Sequence, residues 1–265
     1  ALVERGSSVT QIAWERIGDE LVRILTQGSA RRGYELLEAS GLLRWILPEV
    51  ASTKHVSSPN PSSDELNDKL EHTLSILEHL DELKEPTETL ALAAVLHDIS
   101  ERQCRLPARI QGFPLPRSER AAELSIHVCK RLKRSRPTWE KVQYLVRNRW
   151  RVHDAVQMRT ADLKRFLRKP HTGELLELTR LHALGSNERR DAYDFCLRKL
   201  QQLSSEDLSP PPLVDGRDLI RLGLKPGPCF SRILSAIEDA QLEGLLNSRQ
   251  EALEMLERKW KSVQS

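Results

Sequence analysis

The chain has 265 residues, of which 39% are hydrophobic and 30% charged, with a net charge of +3 and a mean hydropathy of −0.48. This composition supplies a sizeable core and excludes disorder along the whole chain. No apolar run approaches the roughly 18 residues of a membrane span, and Ala1 to Thr10 lack the apolar stretch of a secretory signal. The absence of a starting Met indicates a processed or truncated piece of a longer protein.

The periodicity of the apolar residues predicts helices throughout, and no period-two run indicates a strand. In chain order, we expect helices near 17–25, between Ser29 and Gly41, after a polar linker at 52–63, and after a Thr87 cap, and then a loop at 104–116. Further helices are predicted at 118–134, 138–151, 160–168, 172–184, 188–203 and 215–222, and, beyond a turn at 223–228, to about Leu246 and from a Ser248 cap. The sequence therefore predicts an all-α fold.

The four cysteines, Cys104, Cys129, Cys196 and Cys229, form no C-x-x-C pair. Such separate cysteines are typical of reduced thiols inside the cell, so we expect a cytoplasmic protein with no membrane partner.

Charge is distributed unevenly. Residues 130–170 hold 14 lysines and arginines against three acids, a net charge of +11, whereas the remainder carries −8. Aromatic residues are interleaved in this segment: Trp139, Tyr144, Trp150 and Phe166. Cations neutralise phosphates and exposed rings stack on unpaired bases, so the pattern suggests a local anionic partner such as a nucleic acid. The alternative is a set of solvated helix faces with the rings in the core.

The sharpest chemical signal is Glu71-His72-Thr73 in one helix and His97-Asp98 near the end of the next. Imidazole and carboxylate groups together suit a divalent transition metal, and antiparallel packing of the two helices would bring His72 to His97 and Asp98. A buried histidine bonded to a neighbouring aspartate is a commoner arrangement. Both interpretations stay open on spacing alone.

Several segments resemble known families. Leu92 to Ile99 resembles the second signature of the HD domain superfamily, and Glu71-His72-Thr73 resembles its first. Glu15 to Leu21, Ala30 to Leu43, Gly216 to Pro228 and Glu238 to Gly244 resemble segments that follow the nucleotidyltransferase head of bacterial class II CCA-adding enzymes and poly(A) polymerases. The resemblance covers nearly the whole chain.

The resemblance implies a multi-helix body with a degenerate HD-like core and a helical tail. It divides the chain into the end of a helical neck region at 1–51, an HD-like body at 52–205, and a tail at 206–265 with the turn Gly223-Leu224-Lys225-Pro226-Gly227-Pro228. His97-Asp98-Ile99-Ser100 departs from the family's usual continuation, and Arg149 stands where a histidine often follows. We therefore expect the His-Asp pair to be a polar brace between two helices.

The resemblance also implies a function: the chain binds tRNA along its acceptor and elbow backbone and positions the RNA 3′ end. Nucleotide addition would be carried out by a head, in cis or in trans, that these residues do not contain. Magnesium and ATP or CTP would be needed only by a parent enzyme with that head. The expected phosphate contacts are Arg147, Arg149, Arg151, Lys164, Arg165, Arg168 and Lys225.

Two further functions remain as alternatives. One is a metal-dependent phosphohydrolase of the HD type, with a divalent metal held by His72, His97 and Asp98. The other is a helical protein-interaction module, for which the Leu-rich last helix is the supporting feature. The nucleotide that a parent enzyme would add is not determined by these residues.

Overall fold

The structure is a computed structural model. It describes residues 13–51, 63–99, 109–110, 113–114, 117–186, 190–224 and 226–260.

These residues are almost entirely helical, which confirms the all-α prediction. The helices are α1 (Trp14–Thr26), α2 (Ala30–Ala39), α3 (Leu43–Ile46), α4 (Pro48–Ala51), α5 (Ser63–Asp81), α6 (Glu88–Leu96), α7 (Arg117–Arg131), α8 (Arg136–Asn148), α9 (Arg151–Asp154), α10 (Thr160–Leu167), α11 (Thr172–Ser186), α12 (Asp191–Gln202), α13 (Ser205–Leu208), α14 (Gly216–Arg221), α15 (Cys229–Leu242) and α16 (Arg249–Trp260), with a 3-10 turn at Ala155–Gln157. No helix among them has the length and apolar character needed to cross a bilayer.

One correction concerns the predicted loop at 104–116. Two short strands, β1 (Arg109–Ile110) and β2 (Phe113–Pro114), pair antiparallel there, with Ile110 opposite Phe113. Each strand has only two residues, which is too short to produce a periodic signal, so no sequence pattern indicates this hairpin. Residues 104–108, 111–112 and 115–116 lie outside the described residues.

Three helices, α7, α8 and α15, end three or more residues earlier than predicted, and left-handed residues explain the ends of α7 and α15. Lys133 has a φ of 57° and follows α7, where the amide of Arg134 donates to the carbonyl of Cys129 at 2.9 Å. Gly244, two residues after the last residue of α15, has a φ of 77°. A left-handed residue just past a helix closes its last carbonyl groups and stops propagation.

The predicted caps of α6 and α16 are confirmed. The Thr87 hydroxyl accepts from the Leu90 amide at 3.1 Å, and the Ser248 hydroxyl accepts from the Glu251 amide at 3.2 Å. The Glu251 carboxylate accepts from the Ser248 amide in return, at 3.3 Å. Each cap satisfies amide groups that the first turn leaves unpaired.

The chain divides into two compact units. Unit 1 takes the described residues of 1–153 and 173–193, and unit 2 takes those of 154–172 and 194–265. The three-part division expected from the resemblance stays a prediction.

Unit 1 is built around α6. Every residue from Thr89 to Leu96 is buried, because α1, α5, α7 and α8 all pack against this helix. A helix that is buried all round needs apolar residues on every face. The sequence Leu-Ala-Leu-Ala-Ala-Val-Leu supplies them. His97 follows at the C-terminal end of α6, and its side chain is therefore buried in the interior.

Unit 2 has its own core between α14, α15 and α16. Its buried members include Leu219, Ile233, Ile237 and Leu256. Beside this core, α10 packs on α15. Three of the cysteines, in both units, are free thiols, and Cys104 lies outside the described residues.

Candidate functional site

A cavity of about 660 Å³ in unit 1 brings most of the chemically active side chains together. It is lined by Arg31, Glu71, His72, Ser75, Asp98, Arg149, Trp150, His182, Gly185 and Ser186. Its wall is therefore formed by α2, α5 and α11, together with the residues that follow α6 and α8. The buried His97 ring contacts the rings of His72 and His182, which line the cavity.

Three imidazoles form the centre of this site. One potential ligand atom from each of His72, His97 and His182 lies within 4.8 Å of the other two. The ring centroids are 4.7 Å apart for His72 and His182, 5.3 Å for His97 and His182, and 5.6 Å for His72 and His97. Neutral imidazole is a common ligand of transition metals, so this cluster has the composition of a metal centre.

A close helix contact creates the cluster. Gly185 of α11 faces α5, and a Cβ atom placed there would stand 2.8 Å from Ile76 Cγ1 and 3.3 Å from the His72 carbonyl oxygen. Only a glycine lets the two helices approach this closely without displacing a neighbour. His182 lies one helical turn before Gly185 and is thereby held against His72.

Hydrogen bonds fix how these rings present their nitrogens. His97 Nδ1 lies 2.8 Å from the carbonyl oxygen of Ala94, so Nδ1 carries the proton and donates. His97 Nε2 then holds a lone pair; it is buried and has no hydrogen-bond partner among the described residues. Ser186 donates to the carbonyl of His182 at 2.9 Å, and its oxygen lies 3.3 Å from His72 Nδ1. Metal-ligating histidines typically have one nitrogen anchored in this way.

Electrostatics keep two of the rings neutral. Burial, followed by the positive charge of Arg149, holds the pKa of His97 well below its usual value. The same two causes lower the pKa of His182 to about 3. Both rings therefore carry lone pairs at neutral pH. Arg149 is only 3% exposed and lies 4.2 Å from the centroid of the Trp150 ring, so its charge also opposes any cation bound close to it.

The predicted metal ligands are only partly gathered. His72 and His97 belong to the cluster, whereas the Asp98 side chain is exposed and lines the same cavity. His97 bonds to Ala94 in its own helix, so the two residues of the pair have different surroundings. His182 was missed because a single histidine in an apolar helix is typical of an ordinary core residue. The contact at Gly185 joins residues far apart in sequence, and no local pattern reveals it.

The predicted phosphate contacts in unit 1 are placed differently from one another. Arg147 pairs with Glu119 at 2.8 Å, and Arg151 is exposed. Arg149 faces the histidine cavity rather than the outer surface.

In unit 2 the predicted contacts bind residues of α15. Arg165 pairs with Glu238 at 2.7 Å and with Asp239, and Arg168 pairs with Glu238 at 2.8 Å. Lys164 donates to the Leu242 carbonyl at 2.9 Å. These charges stabilise the packing of α10 on α15. Lys225 lies outside the described residues.

Comparisons with known proteins identify relatives. Residues 1–54 match a family model described as the probable RNA and SrmB-binding site of polymerase A. An A-adding tRNA nucleotidyltransferase of Deinococcus radiodurans is 30% identical over 262 residues, covering 93% of this chain and 58% of that protein. A CC-adding tRNA nucleotidyltransferase of Thermus thermophilus is 32% identical over 258 residues, covering 91% and 55%. A multifunctional CCA protein of Nitrosococcus oceani is 28% identical over 155 residues, covering 58% and 37%.

These relatives define a class: two are named as tRNA nucleotidyltransferases and the third as a multifunctional CCA protein. The comparisons confirm the resemblance, over nearly the whole chain, to the tRNA nucleotidyltransferase and poly(A) polymerase family. It spans 55–58% of the length of the two relatives that it matches almost from end to end.

Proposed function

We propose that this chain is the RNA-binding body and tail of a tRNA nucleotidyltransferase. In this function it holds tRNA by its acceptor and elbow backbone and presents the 3′ end to a nucleotidyltransferase head outside these residues. The observation that carries the proposal is the match of 91–93% of the chain to two tRNA nucleotidyltransferases, together with the RNA-binding family model at residues 1–54.

The charge distribution supports this proposal. The +11 segment at 130–170 contributes exposed cations to both units. Arg147 and Arg168 keep 40% and 32% of their side chains exposed despite their ion pairs. A guanidinium has five N–H donors, so it can keep one carboxylate and still donate to a phosphate oxygen. Such contacts hold the RNA backbone without reading its sequence.

Fluorescence anisotropy of labelled tRNA, titrated with the whole chain, tests the proposal. We expect micromolar or tighter binding, with preference for tRNA over an unrelated hairpin of equal charge. Reversal of Arg147, Arg165 and Arg168 to Glu should weaken this binding. If the chain does not bind tRNA at low salt, or binds the hairpin equally well, the proposed function is wrong.

A second candidate function is metal-dependent hydrolysis of phosphoesters, which the cluster of three histidines specifically favours. The buried, unpartnered Nε2 of His97 and the anchored Nδ1 of the same ring fit a metal ligand. His72, His97 and His182 would hold the ion, and Asp98 would approach it from the cavity wall. A divalent metal there would act as a Lewis acid and lower the pKa of a water molecule. Arg149 would hold the negatively charged substrate.

Metal binding is measurable apart from catalysis. Thermal unfolding with and without Zn²⁺, Ni²⁺ or Mn²⁺ should show stabilisation of about 2.7 kcal/mol when the free ion exceeds its Kd a hundredfold. His182→Ala should abolish that stabilisation, whereas Asp98→Ala should reduce it less. Phosphoester hydrolysis in the presence of the metal should be lost in His97→Ala. Less than a tenth of an equivalent of bound metal, without turnover, would exclude this second function.

A further inference from the structure

Three cations at the junction of α7 and α8 form no ion pair with a described residue of another helix. We call Lys130, Lys133 and Arg136 the α7–α8 corner. The Lys130 and Lys133 side chains are exposed, and neither forms an ion pair with a described residue. Arg136 is 79% exposed, and among the residues that the structure describes it pairs only with Glu140, one turn further along its own helix. An exposed pair of this kind contributes little to stability.

The neighbouring cations in the same run show what the fold does need. Arg131 binds the buried carboxylate of Glu49 through two nitrogens. Arg134 is 10% exposed and pairs with Asp19 at 2.7 Å and with Glu88 at 3.4 Å. The run therefore separates into two sets: two arginines bind α1, α4 and α6, and three cations face outward.

The backbone of Lys133 gives an independent indication. With a φ of 57°, it is the one non-glycine residue in the left-handed region among those the structure describes. That conformation costs an L-residue roughly 1 kcal/mol or more, and glycine is the usual occupant of this position after a helix. A lysine here is less stable than a glycine would be. Strain at an exposed charge points to a use for that charge outside the fold.

The third feature is the position of Lys130. Its ammonium lies 4.7 Å from the centroid of the Trp139 ring, which belongs to the next helix. The ring attracts the cation through its negative face and limits the motion of the long side chain. A lysine restrained in this way loses less conformational entropy when it binds an anion.

We propose that the α7–α8 corner binds the phosphate backbone of the RNA held by this chain. The inference rests on the proposed RNA-binding function and names a contact surface for it that lies outside the seven cations singled out from the sequence. Compact ammonium groups suit phosphate as point charges, without a requirement for base identity. Each neutralised phosphate releases counterions, so the corner contributes to affinity and to its dependence on salt.

The test is tRNA binding by the whole chain carrying Lys130→Gln and Lys133→Gly together. We expect affinity to fall about tenfold at moderate salt, and the slope of log affinity against log salt to become shallower by about 1.5 to 2. The thermal midpoint of Lys133→Gly alone should be equal to or higher than that of the parent, because glycine relieves the strain. The thermal midpoint of the double variant is measured as well, and weaker binding with a retained midpoint excludes misfolding as the cause.

Two matched variants complete the experiment. Lys84→Gln removes an exposed lysine that lies between Glu82 and Glu85 in the sequence, and should leave tRNA affinity unchanged. Lys130→Arg retains the charge and should retain binding. If the parent binds tRNA and the double variant binds equally well, the corner is not a contact surface, although the proposed function survives. If the parent does not bind tRNA, both proposals are wrong.

Discussion

The histidine cluster should make unit 1 sensitive to acid. His97 and His182 are neutral in the folded chain because burial and Arg149 lower their pKa values, to about 3 for His182. In the unfolded chain each ring takes up a proton near pH 6.5. Their contribution to stability is therefore fully present above about pH 6.5 and is lost as the pH falls toward the folded pKa values.

The size of this effect follows from linkage. Below about pH 6.5 the unfolded chain binds a proton at a histidine that stays neutral in the folded chain. Each such histidine therefore lowers the free energy of unfolding by about 1.4 kcal/mol for every pH unit of acidification. Between about pH 6.5 and pH 5 the cost is roughly 2 kcal/mol for His182, whose folded pKa is about 3, and His97 adds a cost in the same direction. This is a large fraction of the 5–15 kcal/mol typical of a folded domain.

Urea unfolding followed by tryptophan fluorescence, at several pH values with a chelator present, measures this dependence. His97→Leu and His182→Leu should each flatten the pH dependence, and His182→Leu should remove roughly 2 kcal/mol of the loss between about pH 6.5 and pH 5. Leu178→Ala is the control, since Leu178 is buried one turn before His182 in α11. It should lower stability by about 3 kcal/mol at every pH without changing the slope. Equal slopes for the parent and both histidine variants would refute the reasoning.

Three further substitutions test the packing. Gly18→Ala should destabilise the chain by about 2 kcal/mol, because the new Cβ would stand 2.4 Å from the carbonyl oxygen of Leu132. Gly173→Ala, which meets nothing within 4 Å, should be neutral or slightly stabilising, and thermal unfolding of the two variants side by side checks both expectations. Ser248→Ala should cost about 1 kcal/mol through loss of the α16 cap, and amide hydrogen exchange in that first turn should rise; unchanged exchange would contradict the assigned cap.

Helix positions were largely predictable because they follow from local rules. Apolar periodicity, the Thr87 and Ser248 caps and the proline-rich breaks depend on residues within a few positions of one another. The early end of α7 was not predictable, since Lys133 adopts a conformation that its residue type disfavours. The rule that a glycine marks the end of a helix fails at α7, because a lysine takes the left-handed position there.

The site was only half predictable for a different reason. His72 and His97 stand in recognisable motifs, whereas His182 joins them through a contact between helices more than 100 residues apart in sequence. The charge count likewise predicted a basic segment. It did not reveal that Arg165 is bound to Glu238 and Asp239 across more than 70 residues. Pairings over such distances depend on tertiary packing, which sequence periodicity does not encode.

RNA binding by this chain is the central claim, and its salt dependence tests that claim most directly. Affinity for tRNA would be measured by anisotropy at a series of salt concentrations. If the cations of both units neutralise four or more phosphates, log affinity should fall linearly with log salt, with a slope of about −3 or steeper. A slope close to zero, or no binding at the lowest salt, would contradict the claim.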